Sequence, residues 1–203
     1  TTQTISVNTA GSFSVTVTDG NGCSATSASV TTTVNPLPTP SITGTLAFCA
    51  GGSTTLDAGS YASYDWSTGA TTQTISVNTA GSFSVTVTDG NGCSATSASV
   101  TTTVNPLPTP SITGTLSFCA GGSTTLDAGS YASYDWSTGA TTQTISVNTA
   151  GSFSVTVTDG NGCSGTSASV TTTVNPLPTP SITGTLSICA GGSTTLDAGS
   201  YAS

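Results

Sequence analysis

The 203 residues include no lysine, no arginine, no histidine and no methionine. The eight acidic groups are all aspartates: Asp19, Asp57, Asp65, Asp89, Asp127, Asp135, Asp159 and Asp197, for a formal net charge of −8. Nucleic-acid binding works by displacing phosphate counterions with Lys and Arg, so that class is excluded. Attraction to anionic lipid needs the same missing cations. There is also no apolar run of membrane-spanning length, so direct membrane insertion of this segment is not expected. Side-chain salt bridges and Lys-based isopeptide cross-links are equally out of reach. Solubility must rest on hydroxyl groups and sparse negative charge.

The same absences remove most catalytic chemistry. A serine nucleophile needs a base such as His or Lys, and Cys–His catalysis fails for the same reason. Paired carboxylates can hydrolyse glycosides, but repeating one active site through near-identical copies would be an odd design. The chain reads as a non-enzyme. It also offers no trypsin-type cleavage site, which suits exposed life outside a cell.

What the sequence does contain is repetition. Thr1–Ala70 recurs as Thr71–Ala140 and again from Thr141 onward, a period of 70 residues without insertion or deletion. The copies differ only where Ala25 and Ala95 become Gly165, Ala47 becomes Ser117 and Ser187, and Phe48 and Phe118 become Ile188. A unit of this length is long enough to enclose a small core of its own. Separate beads are therefore expected in place of a continuous solenoid, whose repeats are shorter.

The run Asn35-Pro-Leu-Pro-Thr-Pro40 recurs at residues 105–110 and 175–180. Three prolines in five residues cannot sit inside a sheet and make a semi-rigid connector. These connectors divide the chain into the C-terminal part of a module (1–37), complete modules at 38–107 and 108–177, and the N-terminal part of another (178–203). A chain that starts and stops inside a repeat looks like a piece of something longer.

Within 38–107 the apolar residues alternate with a period of two. Phe83, Val85 and Val87 face one way and Ser84, Thr86 and Thr88 the other, the pattern of a half-buried strand. Ile75 with Val77, Tyr64 with Trp66, and Val100 through Val104 extend it. Asp89-Gly-Asn-Gly92 is a strong hairpin turn, because Gly and Asn tolerate positive φ. No stretch shows a helical stripe. Strands are predicted over about 41–48, 53–58, 62–67, 73–78, 82–89 and 94–104. Short strands separated by turn signals predict an all-β fold of β-sandwich modules. The expected core is Ile42, Leu46, Leu56, Trp66, Ile75, Val77, Phe83, Val85, Val87, Val100 and Val104, with Trp136 and Phe153 as equivalents in the next module.

Three stretches then carry a resemblance. Phe48-Cys-Ala-Gly-Gly-Ser-Thr-Thr-Leu56, the run from Tyr64-Asp-Trp66 to Ile75, and Ala80-Gly-Ser-Phe-Ser-Val85 continuing to Cys93 resemble the Ig-like/PKD-like tandem repeats of Bacteroidota cell-surface adhesins, the SprB-like gliding-motility adhesins among them. The resemblance covers the whole chain. It implies tandem Ig-like sandwiches, export through type IX secretion, and display at the cell surface for adhesion, filaments or gliding. Trp66 suits the core Trp of an Ig-like third strand. Phe83 and Val85 stand where the antibody pattern has Tyr and Cys, so the tyrosine corner and the inter-sheet disulfide are missing. The PKD-type Gly-Asp-Gly signature is missing as well.

Six cysteines hold two positions of the repeat: Cys23, Cys93 and Cys163 in one, Cys49, Cys119 and Cys189 in the other. Without His or closely spaced Cys pairs they suit disulfides in an oxidising compartment better than zinc. In an Ig-like topology Cys49 lies at the bottom of its module and Cys93 at the top. A strand of about six residues spans about 20 Å, while disulfide Cα atoms lie about 5.5 Å apart. A head-to-tail bridge Cys49–Cys163 is expected, with Cys23, Cys93, Cys119 and Cys189 pairing to modules outside the chain. An intramodule Cys49–Cys93 bond and free thiols remain open.

Asp89 with Asn91 offers oxygen ligands for weak calcium binding, although an Asx turn closing the hairpin is favoured. No other cofactor is expected. Tyr61 and Tyr64 are candidates for sugar stacking, and the run Thr31-Thr-Thr33 for a regular hydroxyl row, more readily explained as an outward strand face. The expected function is a structural repeat region of an extracellular surface filament or adhesin stalk. Its partners are neighbouring modules of the same chain and identical chains in a filament. The alternative is a multivalent adhesin that binds glycans or surfaces weakly through each module.

Overall fold

A computed structural model describes residues 3–201, and every regular element among them is a strand. The chain divides into two compact units, Thr1–Asn105 and Pro106–Ser203.

In the first unit, strand Thr54–Asp57 pairs antiparallel with Thr74–Val77, Leu56 opposite Ile75, and Thr43 bridges to Asp57. A second layer is built on the long hairpin of residues 81–105. Val85–Thr88 pairs with Ser63–Trp66 on one side and Ser94–Thr96 on the other. Gly81–Phe83 pairs with Val100–Asn105, whose far side takes Ala47–Cys49 in parallel. Alternation sends Leu56, Ile75 and Val77 from one layer against Trp66, Phe83, Val85 and Val87 from the other. With Ala58, these are the eight buried residues of the core. Two antiparallel layers, the third strand carrying the buried Trp and the first strand switching to pair in parallel with the last, make this an Ig-like β-sandwich.

The expected strands shorten where side chains intervene in the ladder. The predicted 94–104 strand is two, Ser94–Thr96 and Val100–Asn105. Between them the buried Ser97 hydroxyl accepts the Val85 N–H at 3.2 Å while Ser97 N–H donates to Val85 O at 2.9 Å. A side chain thus replaces one rung. The predicted 82–89 strand is likewise split, into Gly81–Phe83 and Val85–Thr88. The 41–48 strand reduces to the bridge at Thr43 and the strand Ala47–Cys49. Leu46, expected in the core, is 39% exposed; its role is backbone pairing, its carbonyl accepting the Thr103 N–H at 2.8 Å. Ile42 and Val100 pack against the core only partly buried, and Val104 is half-buried.

Gly44 explains the break in that first strand. Its φ is 138°, and a Cβ there would collide with the backbone oxygen of Thr55. Gly51, at φ 82°, has open space around it. Gly51→Ala is expected to cost about 1 kcal/mol, the ordinary penalty of a left-handed non-glycine residue. Gly44→Ala is expected to cost at least twice that, because strain adds to collision. Chemical denaturation of the two variants measures the difference.

The second unit repeats the design. Thr113–Gly114, Thr124–Asp127 and Thr144–Val147 form one layer. Ser133–Trp136, the hairpin of residues 151–175 and Ser117–Cys119 form the other. Leu126, Trp136, Phe153, Val155 and Val157 are buried between them. The connector packs on this unit: Pro110 is buried, and the Pro108 carbonyl lies so close to Gly165 that a methyl there would collide with it. Gly165 sits in the edge strand Ser164–Thr166, so the connector covers a sheet edge that charged side chains would ordinarily protect.

Candidate functional site

The residues capable of chemistry gather at the ends of the sandwich, at the Asp turns and around the cysteines. The sheet faces carry hydroxyls. Thr86 and Thr96 share a side-chain hydrogen bond of 2.8 Å, and Thr88 and Ser94 one of 2.9 Å. The pairs recur at Thr156/Thr166 and Thr158/Ser164. Cross-strand pairing of this kind consumes the hydroxyls in stabilising the hairpin.

At the hairpin tip Asp89 Oδ1 accepts the N–H groups of Asn91 and Cys93, both at 2.9 Å. Asp159 does the same for Asn161 and Cys163. This is an Asx turn, which fixes the backbone that presents the cysteine. The carboxylate turned toward calcium in the alternative reading is thus engaged by two backbone donors. Among the described residues no group of three acidic or cysteine side chains converges as a metal site would require.

Cys49 and Cys163 are disulfide-bonded. Cys23, Cys93, Cys119 and Cys189 are free thiols. Cys49 ends a strand registered opposite Asn105, and the next residue locks there, Ala50 N–H donating to Asn105 O at 2.8 Å. Within the first unit, the Cys93 thiol contacts the carbonyl of Asn35 at 4.0 Å. Asn35 is Asn105 less one 70-residue period. A cysteine of one repeat thus lies against the first residue of the proline-rich connector Asn35–Pro40 that precedes that repeat.

The aromatic pair has a structural task. The Tyr64 hydroxyl donates to Gly59 O at 2.9 Å and accepts the Tyr61 N–H at 2.8 Å, and the two rings meet edge to face at 6.5 Å. This ties the 59–61 loop to the third strand, an anchor that sequence pattern alone did not disclose. Trp66 is buried, its indole N–H donating to Thr72 O at 2.8 Å. It offers no ring face to a ligand.

Asp57 closes another turn. Its carboxylate accepts the Gly59 N–H at 2.8 Å and the Gln73 side-chain N–H at 3.1 Å, and these bonds hold its carboxyl below the usual range. Asp127 is held down by Gly129 and Gln143 in the same way, and Asp19 by the N–H groups of Cys23 and Asn21. A depressed folded-state value means the ionised form is favoured by folding. The stability it adds is complete above the ordinary carboxylate value and is lost as pH falls through the folded one. The melting temperature should therefore drop as pH is lowered below about 4. Asp57→Asn/Asp127→Asn, which keeps an acceptor oxygen without a titrating proton, should flatten that drop.

No family model matches this chain, and no curated protein does. Solved structures similar to it include the following three. Murine CEACAM1b shares 11% identity at a TM-score of 0.34, over 67% of this chain and 100% of that one. A Bacteroides ovatus mixed-linkage glucan utilization locus protein, SGBP-B, in complex with a mixed-linkage heptasaccharide shares 16% at a TM-score of 0.23, over 87% of this chain and 55% of that one. A marsupial T cell receptor shares 13% at a TM-score of 0.28, over 73% and 77%.

Proposed function

We propose that this chain is a structural repeat region of an extracellular filament or adhesin stalk, of the kind displayed by Bacteroidota surface adhesins. Its repeats are stapled head to tail by a Cys49–Cys163 bridge. The observation that carries the reading is the cysteine arrangement. Cys49 and Cys163 are the disulfide-bonded pair of positions, and Cys93 lies against Asn35. Cys49 itself closes the strand paired with Val100–Asn105, in register with Asn105. Disulfides persist in oxidising compartments, which supports export.

A rod of identical units needs uniform joints. Proline connectors limit bending, and a covalent staple limits it further. Nothing in this function calls for catalysis, and the hydroxyl-rich surface serves solubility in a chain without cations. Glycan capture by each repeat is the competing reading, and binding of a two-repeat fragment to a glycan array would favour it.

Mapping the bridge tests the proposal. The chain has no tryptic site, so a protease cutting at aspartate is used without reductant, which keeps Ala47 with Cys49 and Gly165 with Cys163. Repeat differences label the peptides: Ala47 marks Cys49 against Ser117 for Cys119, and Gly165 marks Cys163 against Ala95 for Cys93. A Cys49 peptide linked to the Gly165-bearing peptide is expected. Linkage of Cys49 to the Ala95-bearing peptide would remove the staple and the stiff rod with it.

A further inference from the structure

In each complete repeat the layer formed by Thr54–Asp57 and Thr74–Val77 ends in an unguarded edge. The Ala58 N–H donates to Gln73 O at 3.1 Å, which fixes the parity of the ladder: Leu56 with Ile75, and Thr54 with Val77, exchange the backbone bonds. The N–H and C=O groups of Thr74 and Ser76 therefore point away from the partner strand, and both residues are exposed. Among the described residues, the bond that reaches this side comes from the Thr72 hydroxyl to Thr74 O at 2.7 Å. A carbonyl still has a second lone pair to offer. The second unit repeats the arrangement at Thr144–Val147, with Ala128 N–H on Gln143 O and the Thr142 hydroxyl on Thr144 O. Other edges carry guards. On the far side of the same layer Gly44 breaks the strand with its φ of 138°. Along Ser63–Trp66, Ala70 O takes the Trp66 N–H at 2.9 Å and Asp65 stands exposed. The Pro108 carbonyl covers Gly165. Thr74–Val77 has no proline, glycine or charged side chain, and no charged residue lies between Asp65 and Asp89. A regular edge without such devices is a ready template for another strand.

We propose that Thr74–Val77 and Thr144–Val147 are docking edges for the same strand of a second copy of this chain. The occupant follows from self-complementarity. Two such strands set antiparallel about a two-fold axis at Ile75 place Thr74 opposite Ser76 of the second copy, and Ser76 opposite its Thr74. The outward N–H of each then donates to the outward carbonyl of the other. The side chains that meet are a Thr/Ser pair, the same pair that shares a bond of 2.9 Å across the hairpin at Thr88 and Ser94. Hydroxyls facing hydroxyls bring no charge into a contact between chains that each carry −8. A basic partner is not called for, since the carboxylate on the adjoining strand, Asp57, is already engaged by the Gly59 N–H and the Gln73 amide. The contact is isologous and uses only complete repeats, so it holds whether or not the chain serves as a stalk.

Sedimentation velocity of the whole chain, its free thiols alkylated, is followed across concentration together with amide hydrogen exchange resolved by residue. Association that grows with concentration is expected. With it, exchange should slow at the amides of Thr74, Ser76, Thr144 and Ser146, which lack ladder partners in the dilute chain. Ser76→Pro/Ser146→Pro removes an outward donor where a sheet edge tolerates proline, and should abolish both effects. Thr74→Asp/Thr144→Asp sets like charges near one another across the two-fold axis. Its association should be lost at low salt and return as salt screens the carboxylates. Unchanged emission from Trp66 and Trp136, each tied through its indole N–H to the loop entering the edge strand, verifies that the repeats stay folded. A chain that is monomeric at every concentration would overturn the proposal. So would oligomers in which Thr74 and Ser76 exchange as fast as in the monomer, or association undiminished in both variants. Protection that arises only when an unrelated extended peptide is added would give the edge to a foreign strand and overturn self-pairing.

Discussion

Trp136→Ala is expected to unfold the repeat that contains it and leave Trp66 buried in its own. Trp136 is 2% exposed, and its indole N–H donates to Thr142 O at 2.8 Å. Truncating a buried Trp to Ala removes about 3–5 kcal/mol, and the Thr142 carbonyl also loses its donor. A single small core supplies only about 3–5 kcal/mol of net stability. The loss therefore matches all that the repeat has. The remaining indole makes the experiment clean, since fluorescence then reports Trp66 alone. Blue-shifted emission should persist while about half of the β signal in circular dichroism disappears, and chymotrypsin should cut near Phe118 and Phe153. Trp136→Phe, which keeps most of the apolar volume, should lose less and remain folded in the cold. A red shift of Trp66 in the alanine variant would show instead that the repeats fold as one cooperative body.

That each unit would be a two-layer sandwich was legible because its signals are local and redundant. The alternation at Phe83, Val85 and Val87 gives one buried face, the Asp89-Gly-Asn-Gly92 turn gives the hairpin, and the 70-residue identity triples every observation. The breaks in the strands were not legible, since they depend on partners distant in sequence. Ser97 reads as one more polar strand residue until Val85 N–H is found bonded to its hydroxyl. Leu46 reads as core until Thr103 claims its carbonyl and leaves its side chain outside. The Tyr64 anchor was hidden for a similar reason: nothing in the spacing of Gly59, Tyr61 and Tyr64 says that one hydroxyl serves both backbone groups. At the candidate site, the two cysteine positions and the Asx turn beside one of them could be read directly. Which cysteines face which backbone could not, because that depends on how one repeat meets the next.

Reduction of the Cys49–Cys163 bridge is expected to lower the melting temperature by about 10 °C and to separate the repeats mechanically. The bridge closes a loop of 163 − 49 = 114 residues, and cross-linking a loop of about 100 residues restricts the unfolded chain by about 4–5 kcal/mol. For a chain of about 200 residues each kcal/mol moves the transition by about 2–4 °C. The tie does not merge the two cores, so the oxidised and reduced chains should both melt repeat by repeat, the oxidised chain at the higher temperature. Cys163 is fully buried while Cys93, its equivalent, is half-exposed, so reduction should require denaturant or a strong reductant. Cys49→Ser/Cys163→Ser should melt like the reduced chain and ignore reductant altogether, whereas Cys93→Ser/Cys119→Ser should match the unaltered chain. The same pair of variants under single-molecule force gives a mechanical readout. With the bridge intact, extension between Cys49 and Cys163 is blocked, so 114 residues of chain length stay hidden even when a repeat unfolds. If Cys93→Ser alone removes the sensitivity to reductant, the bond lies within one repeat. The joints are then free to bend, and stiffness would have to come from the proline connectors alone.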